Sequence, residues 1–97
     1  MNQTIIQAIK QKQILELRYH GYSRIVEPHA YGVDKRGSEK LRCYQIGGGS
    51  VSNDPIDWKL LNVAEAYSVH STERQFSSAR PDYKRGDKAM QHIYAEL

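Results

Sequence analysis

The feature that most limits what this chain can fold into is a succession of short alternating runs, each closed by a turn signal. From Ile14 to His20, Leu15, Leu17 and Tyr19 point one way while Glu16, Arg18 and His20 point the other. A period of two makes this a half-buried strand. Gly21 marks a turn. Arg24 to Val33 reads as a second strand, in which Pro28, lacking an N–H, requires an edge position or a bulge. Asp34-Lys35-Arg36-Gly37 is a hairpin turn. Glu39 to Ile46 alternates again, with Lys40, Arg42, Tyr44 and Ile46 on one face and Leu41, Cys43 and Gln45 on the other. Trp58 to Val63 and Ala66 to His70 read as two more short strands, with a bend near Ala64-Glu65. About five short strands at this spacing predict a small β-barrel over residues 14–70.

The ends of the chain carry a different period. Asn2 or Thr4 can cap a helix, and Ile5, Ile6 and Ile9 form its apolar stripe, so residues 1–13 are expected to be helical. At the other end Asp87 is a good N-cap, and Met90, Ile93, Tyr94 and Leu97 fall at helical spacing. An amphipathic helix is therefore expected over 87–97, packed on the barrel or on a second copy. Thr72 to Gly86 is irregular and polar, around Phe76 and Tyr83. Gly47 to Pro55 holds three glycines and two serines. It lacks the Lys-Ser/Thr and the helix start of a phosphate loop, and reads as a flexible hairpin loop. No repeat and no internal boundary is visible, so residues 1–97 form a single domain.

With 97 residues the core is small, and a partner could complete its packing. Fourteen basic against eleven acidic residues give a net charge of +3 and a pI near 9.1. This permits long-range attraction to phosphate, but composition alone fits a solvated surface of mixed charge better. The only cysteine, Cys43, faces inward as a small hydrophobe, forms no internal disulfide and fits a reducing, cytoplasmic setting. Neither a signal peptide nor a membrane span is visible at the N-terminus. The histidines at 20, 29, 70 and 92 lack paired ligand spacing, so no metal and no cofactor is expected. Asp54 and Asp57 read as turn formers, Cys43 has no positioned base, and no nucleophile elbow is present. The chain is expected not to be an enzyme.

Several residues together resemble the WYL domain family. They are Ile6-x-x-Ala8-Ile9, the strand ending in Tyr19, then Arg24-Ile25-Val26-Glu27-Pro28-His29. Gly37 follows, ahead of a strand holding Leu41 and Tyr44, then Trp58-x-Leu60-x-x-Val63 and Phe76. The match in order and spacing spans roughly the first three quarters of the chain. The resemblance implies an Sm-like (SH3-type) β-barrel, flanked by helices, of the kind found as sensor domains in bacterial transcription regulators. It also implies nucleotide or single-stranded nucleic-acid binding on a basic, aromatic-lined face. Two positions depart from the family. The naming triplet falls at Glu39-Lys40-Leu41, where only Leu is kept, and the later ligand-associated arginine falls at Asn62. No helix-turn-helix accompanies the domain, which implies a free-standing relative.

The candidate ligand residues are Arg24, Lys40 and Arg42 for phosphate, and Tyr19 and Tyr44 for stacking. Arginine offers phosphate a planar fork, and aromatic rings give bases a stacking surface. Lys40, Arg42 and Tyr44 lie two apart, which a strand places on one face. The same spacing suits the solvent face of a strand, and Arg24 could instead pair with Glu27 or Glu16. Trp58 reads as a core or rim anchor. The rival to ligand binding is a protein-interaction or homodimerisation module whose basic residues are only surface.

Overall fold

Asn2 begins the one α-helix, α1 (Gln3–Gln11), by accepting a hydrogen bond from the Ile5 N–H at 3.0 Å. This satisfies one of the donors that a helix start leaves open. The helix stops at Gln11 rather than Gln13 because Lys12 turns left-handed (φ 53°) and donates its N–H back to Ala8 and Ile9. Ile5, Ile6, Ala8 and Ile9 are buried.

The computed structural model describes all of residues 1–97. Six strands follow or flank the helix: β1 (Gln13–Tyr19), β2 (Tyr22–Val33), β3 (Glu39–Gly48), β4 (Asp57–Asn62), β5 (Ala66–Gln75) and β6 (His92–Glu96). They form one antiparallel sheet in the order β4-β3-β2-β1-β5, with β6 added to β2. β4 and β5 do not pair, so the sheet is not closed into the expected barrel. No helix is long and apolar enough to cross a membrane.

β2 is the spine. β3 runs along one side of it from Arg24 to Val33. The other side is shared: β1 pairs with residues from Tyr22 to Val26, and β6 with Ala30 to Val33. Pro28 falls in the interval between those two partners, where its missing N–H costs no ladder bond on that side. A register shift between Pro28 and Ala30 makes His29 the extra residue of a bulge. The β1–β2 connection is a two-residue turn with His20 and Gly21 both at positive φ (49° and 84°), the twist a tight hairpin needs.

The expected C-terminal helix is absent. Asp87 does begin a turn, accepting from the Ala89 N–H at 2.9 Å, but His92–Glu96 then extends as β6. The reason is non-local. A helix of about ten residues is marginal by itself, whereas the second half of β2 offers a row of unpaired backbone groups beside the core. Gly32 permits the close approach: a Cβ there would lie 2.3 Å from the His92 carbonyl oxygen. Tyr94 and Ala95 still pack against the core from this strand, and Leu97 does so just beyond its end.

The inner face of the sheet carries Leu15, Leu17, Tyr19, Val26, Leu41, Cys43 and Leu61 onto α1. Burial pushes the Cys43 thiol up to about 12, so it is an inert core group. Two further boundaries differ from the sequence expectation. β5 continues to Gln75, and β3 continues to Gly48. The loop after β3 is tied rather than free: Gln45 Nε2 donates to the Gly47 and Gly49 carbonyls, and Lys59 Nζ donates to Ser50, Ser52 and the Asp54 carbonyl.

Candidate ligand-binding face

The alternation of β3 sets what each side of the sheet can offer. Leu41, Cys43 and Gln45 are buried, while Lys40, Arg42 and Tyr44 lie half-buried on the outer face. Antiparallel pairing brings Asn62, Leu60 and Trp58 of β4 beside them on that face. Lys40, Arg42 and Tyr44 are thus together, as the spacing predicts. Tyr19 and Arg24 are not with them. Both are buried, and Arg24 follows Val26 by alternation to the inner face, where its side chain lies over the Tyr19 ring.

The outer face is not bare. Residues 76–91 cross it as a strap. Arg80 makes a forked pair with Glu27 at 2.7 and 3.0 Å and places its guanidinium 4.5 Å from the centre of the Tyr44 ring. Its backbone N–H donates to His29 Nε2 at 3.0 Å. His29 Nδ1 lies 2.8 Å from the Glu27 carbonyl, so the ring sits as the neutral Nδ1–H tautomer. Burial lowers the His29 pKa, which keeps it neutral. Phe76, Trp58 and Tyr83 surround the His29 ring.

Arg42 is also engaged. Its Nε and Nη2 donate to the two Asp87 carboxylate oxygens at 2.7 and 3.3 Å, and that pairing holds the Asp87 carboxyl below the usual carboxylate range. Lys40 hydrogen-bonds the Asn62 side chain and lies 3.9 Å from Asp34. The pairing of Arg24 with Glu27 or Glu16 does not form: Glu27 pairs with Arg80, and Glu16 with His70 and Ser23. Lys40 and Arg42 are therefore held by this chain's own groups, whereas Arg24 has no carboxylate partner. Tyr44 lies under Arg80, so its ring is no open stacking surface.

What remains open lies beside these residues. A cleft of about 480 Å³ separates Trp58 and Arg42 from the loop of residues 82–88. Lys84 and Lys88 line it without any ion-pair partner, and Arg85 lines it while pairing with Glu96 at 3.2 Å. Trp58 is half-buried, held edge-on by Tyr44 and His29 and roughly parallel to Tyr83. A second cleft, between Asp34–Arg36 and Lys88–Gln91, shares Lys88 with the first. Compared with known proteins, the chain matches no family model, no curated protein and no solved structure.

The contribution of residues 80–88 was hidden by their irregular pattern. The signal available was compositional. Arg80, Lys84, Arg85 and Lys88 fall within nine residues, interleaved with Tyr83 and Gly86, the same basic-and-aromatic mixture that the strands carry.

Proposed function

We propose that this chain is a non-enzymatic binding module for single-stranded nucleic acid or a nucleotide, acting through the cleft between Trp58 and the 82–88 loop. The observation that carries the reading is the pairing, in one open cleft, of an aromatic wall with two lysines that have no carboxylate partner. Bases stack on rings irrespective of sequence, and phosphates are drawn to unpaired cations. Lys88 also borders the second cleft, where Lys35 and Arg36 lie. That spacing favours a strand with several phosphates over a mononucleotide.

In this reading the candidate set moves. Arg42 stays, as the floor of the cleft, and Lys84, Lys88 and Trp58 join it. Lys40, engaged by Asn62 and Asp34, does not line the cleft, and Tyr44 acts by bracing Trp58. The open six-stranded sheet, with its long β2 interrupted by a bulge, supports reading it as an SH3-type barrel left unsealed between β4 and β5, and the likeness to WYL sensor domains is part of the same proposal.

The test is a titration of a short single-stranded oligonucleotide followed by fluorescence anisotropy. With three cations engaged, log K should fall against log salt with a slope of about −2, and the Lys84→Met/Lys88→Met variant should flatten that slope. Equal binding by that variant at low salt overturns the site.

A second reading is homodimerisation. The free edge of β4 favours it, with Ile56 and Leu60 being 51% and 39% exposed beside unpaired backbone. Light scattering separates the two: a concentration-dependent dimer without nucleic-acid affinity supports the second.

A further inference from the structure

Arg24 is the one buried charged side chain with an atom that nothing satisfies. The residue is 2% exposed. Its Nε donates to the Tyr19 carbonyl at 3.2 Å and its Nη1 to Gln45 Oε1 at 3.4 Å, while Nη2 is buried with no partner. No carboxylate pairs with it. A buried guanidinium in this state is costly, because water has been removed and no counter-charge replaces it.

The neighbours of Arg24 point to what could. Gln45, which receives Nη1, turns its own amide to the Gly47 and Gly49 carbonyls at 3.0 and 2.8 Å. The free end of the guanidinium therefore lies one side chain beneath the loop from Gly47 to Pro55. Lys59 reaches the same loop from β4 and also has no carboxylate: its three partners are the Ser50 and Ser52 hydroxyls and the Asp54 carbonyl. Strand register puts both on the inner side of the sheet: Lys59 lies opposite Cys43 across β3 and β4, and Arg24 opposite Leu17 across β1 and β2. The cover is thin. Gly49 lies against the exposed Tyr22 ring, which would meet a Cβ there at 2.3 Å, and the Arg24 guanidinium lies 5.9 Å from the centre of that ring.

We propose that the Gly47–Pro55 loop closes over a binding site for a phosphate-like dianion held by Arg24 and Lys59. Two cations without counter-charges match a dianion better than a single carboxylate, and a phosphate group carries about −1.5 to −2 at neutral pH. The Ser50 and Ser52 hydroxyls, now held by Lys59, can turn to donate to the anion, and Lys59 exchanges neutral oxygens for charged ones. The site lies on the face of the sheet opposite the Trp58 cleft and does not depend on it.

The experiment is isothermal titration of the full chain with inorganic phosphate at pH 7.5 in low-chloride buffer, with acetate as the comparison anion. The expected result is saturable one-to-one binding of phosphate and none of acetate. Lys59→Met, at a half-exposed position, should weaken binding about tenfold or more, and Arg24→Gln similarly. Lys84→Met/Lys88→Met should leave it unchanged. If Arg24→Gln fails to fold, Lys59→Met alone decides. No saturable heat, acetate binding as well as phosphate, or undiminished affinity in Lys59→Met overturns the site. Loss only in the Lys84/Lys88 variant assigns the anion to the cleft instead.

Discussion

The strap across the outer face should be held chiefly by Arg80, and its removal has a calculable cost. Arg80→Ala leaves the Glu27 carboxylate, 7% exposed, without the two donors that now meet it at 2.7 and 3.0 Å. Stranding a fully buried charge costs about 3–5 kcal/mol. The Arg80 side chain is 39% exposed, so water can enter the vacated space and screen what remains, which reduces the expected cost to about 2 kcal/mol. Lost contact with the Tyr44 ring contributes part of this, at about 0.5–1 kcal/mol for an accessible cation–π pair. In a domain of this length the midpoint should fall by roughly 10 °C. The assay is thermal and urea unfolding of four proteins: the parent, Arg80→Ala, Glu27→Gln and the double variant. Because Glu27→Gln removes the stranded charge, the double variant should lie well above the sum of the singles, with a coupling of about 1 kcal/mol or more. An unchanged midpoint in Arg80→Ala, or strictly additive losses, refutes the account of the strap.

Three further outcomes follow from the same geometry. His29 is neutral in the fold and its pKa is lowered by burial, so the unfolded chain binds its proton first; stability should be full above about pH 6.5 and decline as pH falls below it, a slope that His29→Phe should reduce in urea midpoints between pH 5 and 7.5. Asp87 is held low by Arg42, so its contribution is present above the ordinary carboxylate range and is lost only at more acid pH, where Asp87→Asn should flatten the curve. Gly32→Ala forces a Cβ into the His92 carbonyl and should cost about 1–3 kcal/mol, with amide-exchange protection lost first over His92–Glu96; full protection there would show that the close approach is not what seats β6.

The parts of the fold that were legible in the sequence were those decided locally. A helix cap at Asn2 or Thr4, the Gly21 and Asp34–Gly37 turns, and the alternation of β1 and β3 each depend on residues a few positions apart. Pro28 announced an edge position or a bulge, but not that a bulge would fall between two different partners of β2. The C-terminal strand was not legible, because Met90, Ile93, Tyr94 and Leu97 satisfy a helical period and only the vacant edge of β2, some sixty residues earlier, decides against it. The candidate face was half legible for the same reason. Spacing put Lys40, Arg42 and Tyr44 together, but Asp87 lies 45 residues from Arg42 and Arg80 lies 53 from Glu27, so nothing local showed that those groups were already engaged. Arg24 misled through its charge: its place two residues before Val26 fixes it on the inner face, and the expectation that arginine stays outside concealed this.

The proposed binding mode, a base stacked in the Trp58 cleft and flanked by phosphate, has a direct optical readout. Trp58 is the only tryptophan, so its intrinsic fluorescence reports on that cleft alone. Titration with a short single-stranded oligonucleotide at low salt should quench it saturably. The quench should reverse on raising the salt and disappear in Lys84→Met/Lys88→Met, with the fold intact by circular dichroism. Emission that does not change at saturating oligonucleotide, or a quench that persists in the variant at high salt, would rule out base stacking in this cleft.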